Sequence, residues 1–280
     1  MTQTSEEIKN IVREKYSVIA EQSREQNAAS CCGVGGCGDT SYTIFSEDYS
    51  GQKGYAPSAD LGLGCGIPLA TLALLPGETV LDLGSGAGND AFVARAAVGE
   101  SGKVIGVDFT EAMIVKARAN AEQLGYNNVE FRQGDIEHLP VGPARIDVVT
   151  SNCVLNLVPN KEQAFREIFR VLKPGGRFSI SDIVLKGTLP ANVQNAAEMI
   201  AGCVSGAMQE SDYLSTIHRA GFDAVSVQKE RVIDLPDSIL EQYISKDEIA
   251  SLRASGAEVK SITVTGVKPA GSCGCGTDCC

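Results

Sequence analysis

Apolar positions along the chain change their period twice. Thr4 and Glu7 are spaced as a capping box, and Ile8, Val12, Tyr16 and Ile19 follow at helical spacing, so an amphipathic helix is predicted over about residues 5–25. The periodicity then lapses. From Ser30 the sequence reads SCCGVGGCG and continues rich in Gly, Ser, Tyr and Asp to Gly66, which predicts a long loop carrying cysteines. From Thr79 strand and helix patterns alternate: TVLDLG, a helix over 90–97, KVIGVD, a helix over 111–124, NVEFRQ, IDVVTS and a helix over 161–172. Strands alternating with helical crossovers predict an α/β fold, a doubly wound parallel sheet with helices on both faces.

Lys173-Pro174-Gly175-Gly176 is expected to stop the last of these helices before an apolar strand over 177–184. Helical patterns fill roughly 190–220. Two alternating runs, 224–233 and 258–267, extend the sheet, with a short helix over 246–254 between them. The tail from Pro269, PAGSCGCGTDCC, is too short and Gly-rich to fold alone. The chain therefore divides into an N-terminal helix and cysteine-bearing loop (1–66), a core of alternating strands and helices (67–185), an α+β extension (186–268) and a cysteine-rich tail (269–280).

The 280 residues carry a formal net charge of -11 and show no run of Lys and Arg that would neutralise a row of phosphates, which argues against nucleic acid as a partner. Met1 to Asn10 is polar and acidic where a secretory signal needs a basic patch and an apolar run. No later segment is a membrane span, so a cytoplasmic protein is expected. A chain of this size does not need disulfide staples, and most of its ten cysteines are expected to be reduced.

Asp82-Leu83-Gly84-Ser85-Gly86-Ala87-Gly88 sits between a predicted strand and a helix, where glycines let the backbone approach a ligand and the helix start offers unpaired N–H groups. The spacing is Gly-x-Gly-x-Gly with an acid two residues before it. A dinucleotide pyrophosphate calls for Gly-x-Gly-x-x-Gly, so the pattern favours S-adenosylmethionine over a nicotinamide cofactor. Asp108 ends the next strand, followed by Phe109, and its carboxylate is placed to accept hydrogen bonds from ribose hydroxyls. Asp135 and Ile136 end the third strand, placed to meet an adenine. The plainer reading of these residues is a tight turn and, for Asp108, a cap on the following helix. From Val80 to Asp182 the strands and motifs resemble the class I S-adenosylmethionine-dependent methyltransferases. That resemblance implies a Rossmann-like sheet and a cofactor site that also includes Asn152.

Three cysteines fall within the predicted fold: Cys65 in GLGCG, Cys153 in SNCVLNL and Cys203 in AGC. Cys153 lies just past the fourth strand, at the carboxyl end of the sheet, where open α/β folds place their ligands. A free cysteine is ordinarily a small buried hydrophobe. Three thiolates without a histidine, however, suit a soft pyramidal centre better than tetrahedral zinc. His138 and His218, the chain's two histidines, have no metal-ligand spacing with these cysteines; His138 is expected on the surface of a loop and His218 on a helix face near its C-terminus.

LGLGCGIP at 61–68, SNCVLNLVPNK from Ser151, the Ala-Gly-Cys at Cys203, VREKY at 12–16 and the pair Cys31-Cys32 resemble arsenite methyltransferases over nearly the whole chain. The resemblance implies trivalent arsenic, as arsenite or methylarsenite, held by Cys65, Cys153 and Cys203. In it Cys153 and Cys203 hold arsenic for transfer, while Cys65 and an N-terminal cysteine serve capture and redox exchange. It also implies a thiol reductant, glutathione or thioredoxin, and a role in detoxification. Cys31, Cys32 and Cys37 all lie in the Gly-rich stretch; Cys32 is favoured, with a Cys32–Cys65 disulfide as an intermediate. The arsenic-holding thiols are expected to be acidified by nearby helix N-termini. Two other functions share parts of this pattern: methylation of a small organic acceptor, and sequestration of a metalloid without catalysis.

Overall fold

A computed structural model describes residues 4–24, 26–27, 47–189, 206–234, 237–241 and 244–271. Cys31, Cys32, Cys37, Cys203, the helical pattern expected over 190–205 and the four tail cysteines lie outside the described residues.

Helix α1, Ser5–Glu21, opens with the capping box read from the sequence: the Thr4 hydroxyl accepts from the Glu7 N–H and the Glu7 carboxylate accepts from the Thr4 N–H. The core then runs β1 (Thr79–Leu83), α2 (Asn89–Val98), β2 (Lys103–Asp108), α3 (Glu111–Gln123), β3 (Val129–Gln133), β4 (Ile146–Asn152) and α4 (Lys161–Val171). It continues with β5 (Leu172–Lys186), α5 (Glu210–Arg219), β6 (Asp223–Val232), a helical turn at Asp237–Leu240, α6 (Lys246–Ser255) and β7 (Glu258–Val267). The seven strands form one sheet in the order β3-β2-β1-β4-β5-β7-β6. The first five are parallel, and β7 enters antiparallel between β5 and β6. The carboxyl ends of β1 and β4 are therefore neighbours, which brings the glycine-rich turn beside Cys153.

Both faces of the sheet are covered, as the near-continuous apolar strands require. On one face Ala164, Phe165, Ile168 and Val171 of α4 repeat at helical spacing and pack on Phe178 of β5 and Tyr213 of α5. On the other, α2 and α3 bury Phe92, Met113 and Ile114 against Val80, Val104 and Phe131, and α1 lies over α3. A third apolar cluster, of Ile183, Leu185, Ile249, Leu252 and Val259, surrounds Cys65 and Cys153.

The start of β5 differs from the sequence expectation. Strand β5 begins at Leu172, paired with Ile146, and the Lys-Pro-Gly-Gly stretch is a bulge within the strand. Gly175 adopts a left-handed φ of 76°, and the main chain there stays paired: Gly175 N–H to the Lys268 carbonyl, and Lys268 N–H to the Gly176 carbonyl. The proline and glycines end α4 without ending the ladder.

Asp182, on β5, is fully buried against α5. Its Oδ2 accepts from the Tyr213 hydroxyl at 3.2 Å. Burial pushes this carboxyl up to about 7, against the opposing pull of the Lys161 charge, the Ile183 N–H and the Tyr213 hydroxyl. Between the ordinary value of 3.8 and about 7 the unfolded chain loses this proton while the folded chain keeps it, so stability falls as pH rises through that window. Asp182→Asn retains an acceptor for Tyr213 and cannot ionise. Urea midpoints at pH 5 and pH 8 are expected to differ less for this variant than for the parent; an equal difference removes Asp182 as the cause.

Candidate active site

The carboxyl edge of the sheet holds an open cleft, lined by α1, the glycine-rich turn and the ends of β2 and β4. Its floor is the glycine-rich turn. Gly84 and Gly86 have φ of 65° and 49°, and Gly88, at 102°, is the N-cap of α2. A Cβ on Gly86 would meet no atom within 4 Å, because it would stand in the open cleft, whereas one on Gly84 would lie 2.3 Å from Val154. The turn is thus a cradle held against the residue that follows Cys153.

Asp108 borders the cleft at the end of β2. Its Oδ2 accepts from the Gly86 N–H at 3.0 Å and its Oδ1 from the Thr110 N–H at 2.8 Å. The expected helix cap is partly realised, since the same carboxylate orders the glycine turn and the start of α3, where Thr110 is the N-cap residue. Burial raises Asp108 above the ordinary carboxylate range, against those N–H bonds. Asp82 is buried beneath the turn, and burial, then the charges of Asp90 and Asp108, hold its carboxyl well above normal. Asp82 Oδ2 and the Ser85 hydroxyl are buried without a partner among the described residues. Three carboxylates around unpartnered polar atoms and an open glycine cradle fit a cationic, hydroxyl-bearing ligand such as S-adenosylmethionine.

Asp135 and Ile136 lie just beyond β3, which ends at Gln133, and both line the cleft. Their neighbour leaves no trace in the local pattern. Lys9 of α1 donates to Asp135 Oδ2 at 2.6 Å and to Glu137, Arg13 stacks 4.4 Å over the Phe109 ring, and the Lys116 ammonium donates to the carbonyls of Ala20 and Gln22. These contacts fix α1 as a wall of the cleft, with Lys9, Val12 and Tyr16 facing it. Burial lowers the Lys9 pKa, and the bonds to Asp135 and Glu137 outweigh it, so the ammonium is held more firmly charged.

Cys153 lines the cleft directly after β4, with a left-handed φ of 60° and its N–H donated to the Ser181 carbonyl at 2.8 Å. Cys65 and Cys153 are joined by a disulfide, with Cα atoms 5.7 Å apart, and are 0% and 5% exposed. In the structure these two cysteines are paired with each other, and Cys32, the favoured N-terminal partner of Cys65, lies outside the described residues. The reason is spatial, since the loop before β1 crosses the ends of β4 and β5. Ser261 donates to the Cys65 carbonyl at 2.7 Å, and the Asn152 amide oxygen accepts from the Cys65 N–H at 3.0 Å. Gly64 and Gly66 permit the crossing, for a Cβ on either would stand 2.5 Å from the Asn152 amide nitrogen or 2.6 Å from the Ser181 hydroxyl. Among the described residues the segment directly after Cys153 is a three-residue turn, Leu155–Leu157.

Asn152 borders the cleft and also acts as a clamp, its amide donating to the Tyr49 hydroxyl at 2.7 Å, to the Gly66 carbonyl at 2.8 Å and to Asp90 Oδ2 at 3.2 Å. Tyr49 and Asp90 were not anticipated. Asp90, two residues past the last glycine of the motif, was available as a signal; Tyr49 and Lys9 meet the site only through folding. His138 is exposed, as expected, and His218 lies in the last turn of α5, also as expected, and is exposed. Among the described residues no group of three His, Cys, Asp or Glu could hold a metal ion, and no helix is long and apolar enough to cross a membrane.

Comparison with known proteins agrees with this geometry. A family profile described as a methyltransferase domain matches residues 74–242. An arsenite methyltransferase of Halobacterium salinarum is 46% identical over 235 residues, 79% of this chain and 59% of that protein. One from Aquipseudomonas alcaligenes is 32% identical over 266 residues, 92% of this chain and 73% of that protein. The chain thus spans between about three fifths and three quarters of the length of these relatives. The crystal structure of an arsenic(III) S-adenosylmethionine methyltransferase from Chlamydomonas reinhardtii superposes with a TM-score of 0.64 at 35% identity, covering 74% of this chain and 68% of that one. With the class I methyltransferase sheet, the glycine cradle and the cysteine pair at its edge, the chain belongs to the arsenite methyltransferase family.

Proposed function

We propose that this chain transfers methyl groups to trivalent arsenic held on cysteine thiolates, in the service of arsenic detoxification. The observation that carries the reading is the position of Cys153, at the end of β4, lining the same cleft as the glycine cradle and joined to a second cysteine. S-adenosylmethionine, when bound, supplies an electrophilic sulfonium methyl. The chain's own residues do the rest. Gly84 to Gly88, Asp82, Ser85, Asp108 and Phe109 hold the nucleoside end, and Asp135 and Ile136 flank the adenine. Cys153 and Cys203 hold arsenic as thiolates, feeding electron density to its lone pair, and that lone pair carries no proton, so no general base is required.

Support for Cys203 comes from the segment that follows it. A Cβ on Gly206 would overlap the Asn156 carbonyl oxygen, so Gly206 lies against the turn just after Cys153. Cys203 precedes Gly206 by three residues of sequence. Cys65 and the N-terminal cysteines, Cys32 foremost, are assigned to arsenic capture and redox exchange.

The Cys65–Cys153 disulfide supports a reductant as co-substrate. Freeing Cys153 requires two electrons: one disulfide and two external thiols yield two protein thiols and one external disulfide. Glutathione or thioredoxin has this chemistry, and the cytoplasm is the compartment that keeps such thiols reduced.

The test is incubation of the purified chain with arsenite, methyl-labelled S-adenosylmethionine and either reductant, followed by separation of the arsenic species. Labelled methylarsenicals that require both the reductant and S-adenosylmethionine are expected. Cofactor binding with no labelled arsenic would redirect the search to small organic acceptors, and arsenic binding indifferent to S-adenosylmethionine would indicate sequestration.

A further inference from the structure

We propose that Tyr49 is a positioning residue, whose hydroxyl ties the loop carrying Cys65 both to the first turn of the cofactor helix α2 and to the end of the strand carrying Cys153. The inference rests on the functional reading above for its catalytic consequence and on geometry alone for its structural one. Tyr49 is 4% exposed. Its hydroxyl lies 2.8 Å from Asp90 Oδ1, 3.0 Å from the Gly66 carbonyl and 2.7 Å from the Asn152 amide nitrogen. Asp90 belongs to the first turn of α2, Gly66 adjoins Cys65 and Asn152 adjoins Cys153. One oxygen thus meets the three segments that place the cofactor and the two sulfurs.

The hydroxyl has a single proton and two acceptors. An ionised carboxylate outcompetes a neutral carbonyl for it, so the O–H points to Asp90, and the Gly66 carbonyl is served by the Asn152 amide at 2.8 Å. Protonating Asp90 removes the charge that strengthens this bond and the one from Asn152. The groups facing Asp90 are Tyr49, Asn152, Asp60 and Asp82. Burial raises the Asp90 carboxyl above its ordinary range, the hydrogen bonds from Tyr49 and Asn152 lower it, and the charge of Asp60 raises it again. Losing the Tyr49 hydroxyl therefore raises the Asp90 pKa and loosens the loop.

Full-length Tyr49→Phe is compared with the parent and with Tyr126→Phe, whose ring packs on Phe92 of α2 beneath Arg95. The first readout needs no arsenic. In glutathione buffers the Cys65–Cys153 disulfide, quantified by peptide mapping after alkylation, reports the effective concentration of one thiol at the other. It is expected to shift about tenfold toward the dithiol in Tyr49→Phe and not in Tyr126→Phe. Affinity for S-adenosylmethionine stays within about threefold, since the cradle itself is untouched. Single-turnover methyl transfer to arsenite falls by about 100-fold, and its acid limb moves to higher pH.

An unshifted disulfide equilibrium overturns the positioning role, whatever the substrate proves to be. A shifted equilibrium in a chain that never methylates arsenite leaves Tyr49 in this role and removes the substrate reading instead. If Tyr49→Phe does not fold, Asp90→Asn keeps an acceptor for the hydroxyl and cannot ionise. In the same glutathione buffers its Cys65–Cys153 disulfide is then expected to shift toward the dithiol, because the charge that strengthens the Tyr49 bond is gone, and an unshifted equilibrium overturns the proposal.

Discussion

Cys153→Ser is expected to slow methyl transfer to arsenite by at least about 100-fold, the scale of loss when a reacting atom is no longer held in place. Oxygen replaces sulfur with little change in shape, and serine adopts the left-handed φ of 60° at this position as readily as cysteine, so no new strain enters. What is lost is a soft donor for a soft centre. The substitution also removes the Cys65–Cys153 disulfide, so Cys65→Ser, which deletes the same bond and keeps the Cys153 thiol, is the matched control. Because the assay runs in excess reductant, the parent lacks the bond as well, and differences in rate report the thiol itself. Cys203→Ser is expected to match Cys153→Ser, and S-adenosylmethionine binding is expected to survive in all three variants. A Cys153→Ser protein retaining a third or more of the parental rate would place the arsenic elsewhere.

Gly86→Leu is expected to abolish S-adenosylmethionine binding in a protein that still folds. The left-handed φ of 49° makes any side chain there cost about 1–2 kcal/mol, a fall of roughly 2–8 °C in melting temperature for a domain of this size. No atom lies within 4 Å of the Cβ position, so the leucine projects into the cleft and occupies the ligand's space. Calorimetry should detect no cofactor binding while circular dichroism retains the parental spectrum. Gly84→Ala makes the contrast: its Cβ would stand 2.3 Å from Val154, so the same motif two residues earlier fails by overpacking, at a cost of about 1–3 kcal/mol in stability. Normal cofactor affinity in Gly86→Leu would remove the glycine turn from the binding site.

Where a signal was local, the sequence carried it. The Thr4–Glu7 capping box, the apolar period of α4 and the strand–turn–helix around Gly84 to Gly88 each depend on neighbours within a few residues, and the fold shows each of them. Pro174, Gly175 and Gly176 were read from the same local chemistry as the end of a helix, and they are that. The strand nonetheless begins before them, because Lys268, more than ninety residues away, supplies the pairing that keeps the bulge in the sheet.

The chain by itself thus determined the α/β class, the glycine turn between β1 and α2 and the place of Cys153 at the carboxyl edge. Only the tertiary structure decided which side chains complete the site. Lys9 reaches Asp135 across 126 residues of sequence and Asn152 reaches Tyr49 across 103, and neither spacing leaves a periodic trace. The pairing of Cys65 with Cys153 was decided in the same way. Ten cysteines allow many pairings, and the choice rests on where the loop before β1 crosses the strand ends, held by Asn152 and Ser261 and admitted by Gly64 and Gly66. Hydrogen bonds and disulfides are short-ranged in space and indifferent to separation along the chain. A sequence therefore names the groups that form them and leaves their partners to the fold.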